Sequence, residues 1–139
     1  MKKILPILLV VLCMISCRKD PNAVIAEFVD QVDSTCVGRM VGDESDATQI
    51  TSVTYQDSTL LFDCLLSDQS EHDLGLLELT AEENLMPDIH SLVENLLDSA
   101  QLAETNPGLL TVFAEQKTKV VFRVKDETGA SFDLIAKEF

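Results

Sequence analysis

The chain reads as an α+β domain in the order helix, hairpin, helices, hairpin. Two stretches place apolar residues every three or four positions, and two others alternate apolar and polar residues around turn-forming residues. A third observation sets the scale. The 139 residues are 46% hydrophobic with five Gly and four Pro, which excludes a disordered tail and low-complexity sequence and suffices for one domain, not two. The expected sheet is antiparallel, built from the two hairpins and packed on the helices.

Pro21 and Asn22 open the first helix, where Val24, Ile25, Phe28, Val29 and Val32 share one face. Gly38 and the polar run Gly42-Asp43-Glu44-Ser45-Asp46 break that period. Residues 50–55 and 59–66 then alternate around Gln56-Asp57-Ser58 and form the first hairpin, expected over 49–67. After a polar loop over 67–73, an apolar run over 74–79 leads into Thr80-Ala81-Glu82-Glu83, a capping-box pattern that starts a helix carrying Leu85, Ile89, Leu92, Val93 and Leu96. Pro87 kinks or restarts it. Asn106-Pro107 is expected to cap a further short helix ending near Gln116. Val120, Phe122 and Val124, then Phe132, Leu134 and Ala136, alternate around Asp126-Glu127-Thr128-Gly129 as the second hairpin. The two halves do not align in sequence, so no internal repeat is present.

Residues 1–17, MKKILPILLVVLCMISC, stand apart from this layout: two lysines, twelve apolar residues over 4–15, then Ser16 and Cys17. That is the layout of a signal peptide. Twelve residues of helix span about 18 Å, well short of the roughly 30 Å of hydrocarbon a permanent span must cross. Met14 is too bulky for the −3 position of the ordinary secretory cleavage site, and Leu12 too large to precede a cut at Cys13.

The tetrapeptide Met14-Ile15-Ser16-Cys17 resembles the lipobox of a bacterial lipoprotein, with Met14 and Ile15 replacing the commoner leucine and small residue. The resemblance covers residues 1–17 alone. It implies that residues 1–16 are removed, that Cys17 is acylated, that 17–21 serve as anchor and short tether, and that 22–139 form the domain. The competing reading leaves Cys17 an ordinary thiol after an uncommon cut. Each buried methylene of an acyl chain contributes about 0.8 kcal/mol and stable attachment takes more than one chain, a condition a triacylated cysteine meets. Arg18, where an inner-membrane lipoprotein of enteric bacteria has aspartate, implies the outer membrane. Arg18-Lys19-Asp20 is similar to the start of Bacteroidota-type lipoproteins, leaving periplasmic and surface display both open.

Without residues 1–16 the chain carries eight Lys and Arg against twenty-four Asp and Glu, a net charge of −16. Residues 40–116 contain no Lys or Arg and sixteen acids. Nucleic acid and anionic headgroups are therefore poor partners, because the chain would repel them. A solvated acidic face and a surface for a basic partner both fit the excess.

Once Cys17 is acylated, Cys36 and Cys64 are the thiols that remain, on the apolar stripe of the first helix and the apolar face of a strand. In an oxidising envelope they can pair, closing a loop worth roughly 3–4 kcal/mol. Two buried free cysteines fit the same pattern.

Recognisable chemistry is sparse. His90 and Glu94, four apart on a helix, supply two metal ligands where a site needs three or four. The acidic runs around His72 and over 43–46 lack the glycine and glutamate register of a calcium loop, so no metal site and no cofactor is expected. No nucleophile elbow, Ser-x-x-Lys motif or phosphate-binding glycine loop occurs. The expected function is thus a non-enzymatic, lipid-anchored envelope module that binds or scaffolds another envelope component, held to the membrane through Cys17. The alternatives are a small glycan-directed enzyme using paired carboxylates, or a cation-dependent adhesin or sensor.

Overall fold

The computed structural model describes residues 20–42, 47–68, 70 and 72–139; the segment expected to be a signal peptide, Cys17, Arg18 and Lys19 lie outside these, as do 43–46, Gln69 and Glu71. The first helix, α1 (Pro21–Cys36), begins where Asp20 caps it: the Asp20 side chain accepts from the Asn22 N–H at 3.1 Å, and Pro21 has no N–H to satisfy. Val24, Ile25, Phe28, Val32 and Cys36 form its buried face.

Five strands make one sheet in chain order: β1 (Met40–Val41), β2 (Thr48–Gln56), β3 (Thr59–Leu66), β4 (Lys119–Lys125) and β5 (Ser131–Glu138). Both expected hairpins are present, β2 with β3 and β4 with β5. The sheet is nevertheless mixed and not antiparallel, because β3 and β4 run parallel, and β1 adds a short strand beyond β2. Parallel neighbours need a long crossover. Helices α2 (Leu74–Asn84), α3 (Met86–Leu96), α4 (Ser99–Thr105) and α5 (Leu109–Glu115) provide it, returning the chain from the finish of β3 to the end where β3 starts.

Two helix starts differ from the sequence expectation. Asp73 caps α2, accepting from the Leu76 N–H at 2.8 Å, so the apolar run over 74–79 is already helical and Thr80-Ala81-Glu82-Glu83 lies inside the helix. There the Thr80 hydroxyl donates to the Leu76 carbonyl at 3.1 Å instead of capping. Asn106 closes α4, and Gly108, with φ of 86°, is the N-cap of α5. That left-handed conformation suits a residue without Cβ. Pro87 marks a restart, since α3 begins at Met86 with no side-chain cap.

Every second strand residue faces the helices: Ile50 and Val53, Leu60, Phe62 and Cys64, Val120, Phe122 and Val124, and Phe132 are all buried. Phe113 of α5 sits at the centre of one aromatic cluster, its ring 5.9 Å from Phe28, 5.9 Å from Tyr55 and 5.3 Å from Phe139. Phe62 and Phe122 stack at 4.4 Å beneath the helices. Helix α1 packs on β2 and α3 on β5, so the helical layer covers one face of the sheet.

The sheet has two unlike ends. At the turn end, Asp57 and Ser58 make the two-residue β2–β3 turn with φ of 52° and 57°, and the Ser58 carbonyl accepts from Lys119 N–H as β4 starts. At the loop end lie the approaches to the β1–β2 connection, the loop over 67–73 and the β4–β5 turn.

Candidate functional site

The face of the sheet turned away from the helices carries chemistry organised across several elements. Strand register sorts it into rows. Met40, Gln49, Leu65, Lys125 and Ser131 form the row nearest the loop end. Ser52, Asp63, Arg123 and Asp133 form the next, then Thr54, Leu61, Val121 and Ile135, and finally Gln56, Thr59, Lys119 and Glu138.

Two irregularities keep this face consistent. Between Ile50 and Ser52 the pairing shifts, so Ile50 and Val53 both point into the core while Ser52 stays beside Asp63. Between Val120 and Val121 it shifts again, leaving Ala136 as an extra residue and Ile135 on the open side.

The rows alternate in character. Arg123 grips Asp133 through two bonds, Nε to Oδ1 at 2.8 Å and the second nitrogen to Oδ2 at 3.1 Å, and this carboxylate raises the pKa of the guanidinium further above its ordinary value. Asp63 reaches diagonally to Lys125, with Nζ 2.9 Å from Oδ1, while its Oδ2 accepts from the Ser52 hydroxyl at 3.2 Å. The Asp63 side chain is only 14% exposed, and Oδ1 is compensated by the ammonium charge and not by an aligned hydrogen bond. Lys119 and Glu138 pair at 3.6 Å. Three cations thus meet three acids, so this face is neutral on a strongly acidic chain.

Apolar residues lie between the ionic rows at Leu61, Val121 and Ile135 and in the row nearest the loop end at Met40 and Leu65. Ile135 is 53% exposed, Met40 46% and Leu65 39%, three of the six large hydrophobic residues most open to solvent among the described residues. A shallow groove of 310 Å³ runs over Leu61 and Val121, between Thr54, Gln56 and Arg123. Flat, neutral and partly apolar, such a surface suits a macromolecular partner better than a small substrate.

The other sequence candidates sit elsewhere. His90 and Glu94 line a 280 Å³ groove between α3 and β5 together with Lys137, and among the described residues no group of three His, Cys, Asp or Glu is placed to hold a metal ion. His72 closes a tight loop in which its N–H donates to the Ser70 hydroxyl at 3.3 Å. Asp68, from the same loop, meets Glu127 in the β4–β5 turn, and the hydrogen bond between the carboxyl groups raises the pKa of Glu127. Cys36 and Cys64 are both buried and both free thiols; burial pushes the Cys64 thiol up to about 12. Cys17 lies outside the described residues.

The open face is not evident from sequence because its rows draw on five strands. One signal for it is present: Lys119, Arg123 and Lys125 all occupy outward positions of the last hairpin, directly after a stretch with no base at all. Among the described residues no helix is long and apolar enough to cross a membrane. Comparison of the chain with protein-family models, curated proteins and solved structures gave no match.

Proposed function

We propose that the protein is a lipid-anchored module of the bacterial cell envelope, attached to the outer membrane through Cys17, that binds a protein partner on the open face of its sheet. The observation that carries the binding surface is the exposed apolar set Met40, Leu65 and Ile135 set among three cross-strand ion pairs. A surface that only had to stay solvated would share the acidity of the rest of the chain. The anchor is supported by the lipobox-like Met14-Ile15-Ser16-Cys17. Restriction to a membrane raises the effective concentration of neighbouring envelope proteins, so a modest interface suffices.

The test is in-cell cross-linking of the full-length chain with an amine-reactive reagent, followed by mass spectrometry. Lys119 and Lys125 stand on the open face, so a partner seated there is expected to be captured through them. An Ile135→Glu variant, at an exposed position, is expected to lower that capture at least fivefold while leaving the melting temperature within about 2 °C. Capture unchanged by Ile135→Glu and by Leu65→Glu would overturn the assignment of the face.

A further inference from the structure

We propose that the occupant of the open face is a second copy of this chain, the two sheets packing face to face about a twofold axis that runs along the strands between β3 and β4. The proposal rests on the reading of that face as a binding surface.

Charge first separates the occupants. The five helices carry ten Asp and Glu and no Lys or Arg, so a basic partner is drawn to the helical layer and two copies repel one another there. On the open face three cations are paired with three acids, which leaves no net charge to draw a partner of either sign. Two copies meet there without repulsion, provided that the rows of one match the rows of the other.

Strand order decides how they match. All three cations, Lys119, Arg123 and Lys125, stand on β4. A twofold axis across the strands lays β4 on β4 and sets cation over cation. An axis along the strands between β3 and β4 lays β4 on β3 of the other copy and β5 on β2. Arg123 then faces Asp63, Asp133 faces Ser52, Lys119 faces Thr59 and Lys125 faces Leu65, so no charge meets its own sign. Leu61 falls on Val121, apolar on apolar, and the strands of the two sheets stay aligned, as in a sandwich.

Shape follows the same axis. Ile135 is 53% exposed on β5, and the 310 Å³ groove lies across the axis in the same row, lined by Thr54, Gln56, Thr59 and Leu61. The twofold operation brings each Ile135 to Thr54 of the other copy, so one protruding side chain and one hollow are each used twice. Four strands spaced about 4.8 Å apart, over the seven residues of β4, give each copy a flat contact of about 440 Å². That is small for a protein interface, and confinement by the proposed anchor supplies the concentration that it needs.

The experiment uses the full-length chain in the envelope of a diderm bacterium. Two differently tagged copies are coexpressed, one with Thr54→Cys and one with Ile135→Cys, and treated with a bismaleimide whose reach matches the roughly 10 Å spacing of packed sheets. Cys36 and Cys64 are buried, and copies with no added cysteine set the background. The mixed pair keeps one Ile135–Thr54 contact intact and is expected to cross-link at least fivefold more than Thr54→Cys with itself, whose positions lie about 14 Å apart across the axis. Arg123→Glu in both copies, which sets an acid over Asp63, is expected to lower the mixed yield at least fivefold and Arg123→Gln to lower it less, with melting temperatures confirming that both variants fold. Thr54→Cys joining itself as readily as it joins Ile135→Cys, or a mixed yield that Arg123→Glu leaves unchanged, overturns the twofold arrangement. No cross-linked dimer from any pair overturns the second copy as the occupant. The open face then stands as a binding surface if amine cross-linking through Lys119 and Lys125 captures a different protein and Ile135→Glu lowers that capture, and it falls too if Ile135→Glu does not.

Discussion

The carboxylate of Asp33 in α1 accepts a hydrogen bond from the backbone N–H of Val53 in β2, 3.1 Å away. Beyond the two-residue β1, the outer edge of β2 has no strand neighbour among the described residues, and this side chain satisfies a backbone donor there. The same bond fixes the height of α1 against the sheet. Asp33→Ala is expected to destabilise by about 1–2 kcal/mol in urea denaturation, whereas Asp33→Asn, which keeps an acceptor oxygen, is expected to lose less than half of that.

How much of the fold is legible in the sequence follows from what each signal depends on. The apolar stripe of α1 and the alternation in β2 through β5 are local periodicities, so residue spacing alone assigns Phe28, Phe62 and Phe122 to the core. The parallel contact of Phe62 with Phe122 is not local: it joins two hairpins across the crossover over 67–118 with its four helices, and no short pattern encodes which hairpin strands become neighbours. Helix starts are ambiguous for a related reason. Asp73 and Thr80 both offer a capping oxygen, and only packing, with Leu77 buried one turn earlier, decides between them. The ionic rows are hidden because Asp63 and Lys125 meet only when β3 and β4 adjoin.

Two of the three ion pairs of the open face are expected to differ in worth. Arg123 and Asp133 are 41% and 46% exposed, where water competes, and Arg123→Ala is expected to cost less than about 1 kcal/mol. Lys125→Ala leaves the Asp63 carboxylate, only 14% exposed, without its counter-charge and is expected to cost about 1–2 kcal/mol, the larger loss. Adding Asp63→Asn to Lys125→Ala is expected to recover part of it. Urea midpoints of the four proteins check the order; equal losses for Arg123→Ala and Lys125→Ala would show that Lys125 is not compensating Asp63.

Thiol chemistry follows from burial. Cys36 and Cys64 are enclosed, and Cys64, pushed up to about 12, holds almost no thiolate at neutral pH. Native protein is expected to show no reaction of either thiol with Ellman's reagent over minutes, and both are expected to react once urea unfolds the chain. Silence of both in urea until a reductant is added would instead reveal a Cys36–Cys64 bond.

The loop end titrates in two opposing senses. The Asp68 carboxyl group, by hydrogen bond and then by charge, raises Glu127 above its ordinary 4.5, so the native state holds the extra proton. Stability from that contact is complete below pH 4.5 and is lost as pH rises through the raised value. Asp126 behaves oppositely: the Thr128 hydroxyl, 2.6 Å away, and backbone N–H groups lower its pKa below 3.8, and its contribution is present above pH 3.8 and fades as pH falls through the lowered value. Glu127→Gln keeps a donor beside Asp68 at every pH. Its melting temperature is therefore expected to match the parent near pH 4 and to exceed it increasingly toward pH 7, while Asp126→Ala is expected to lose stability at pH 7 and to converge on the parent at pH 2–3. Melting curves of the three proteins across pH 2–7 check both signs, and a Glu127→Gln difference that does not change with pH would mean that Asp68 and Glu127 share no proton.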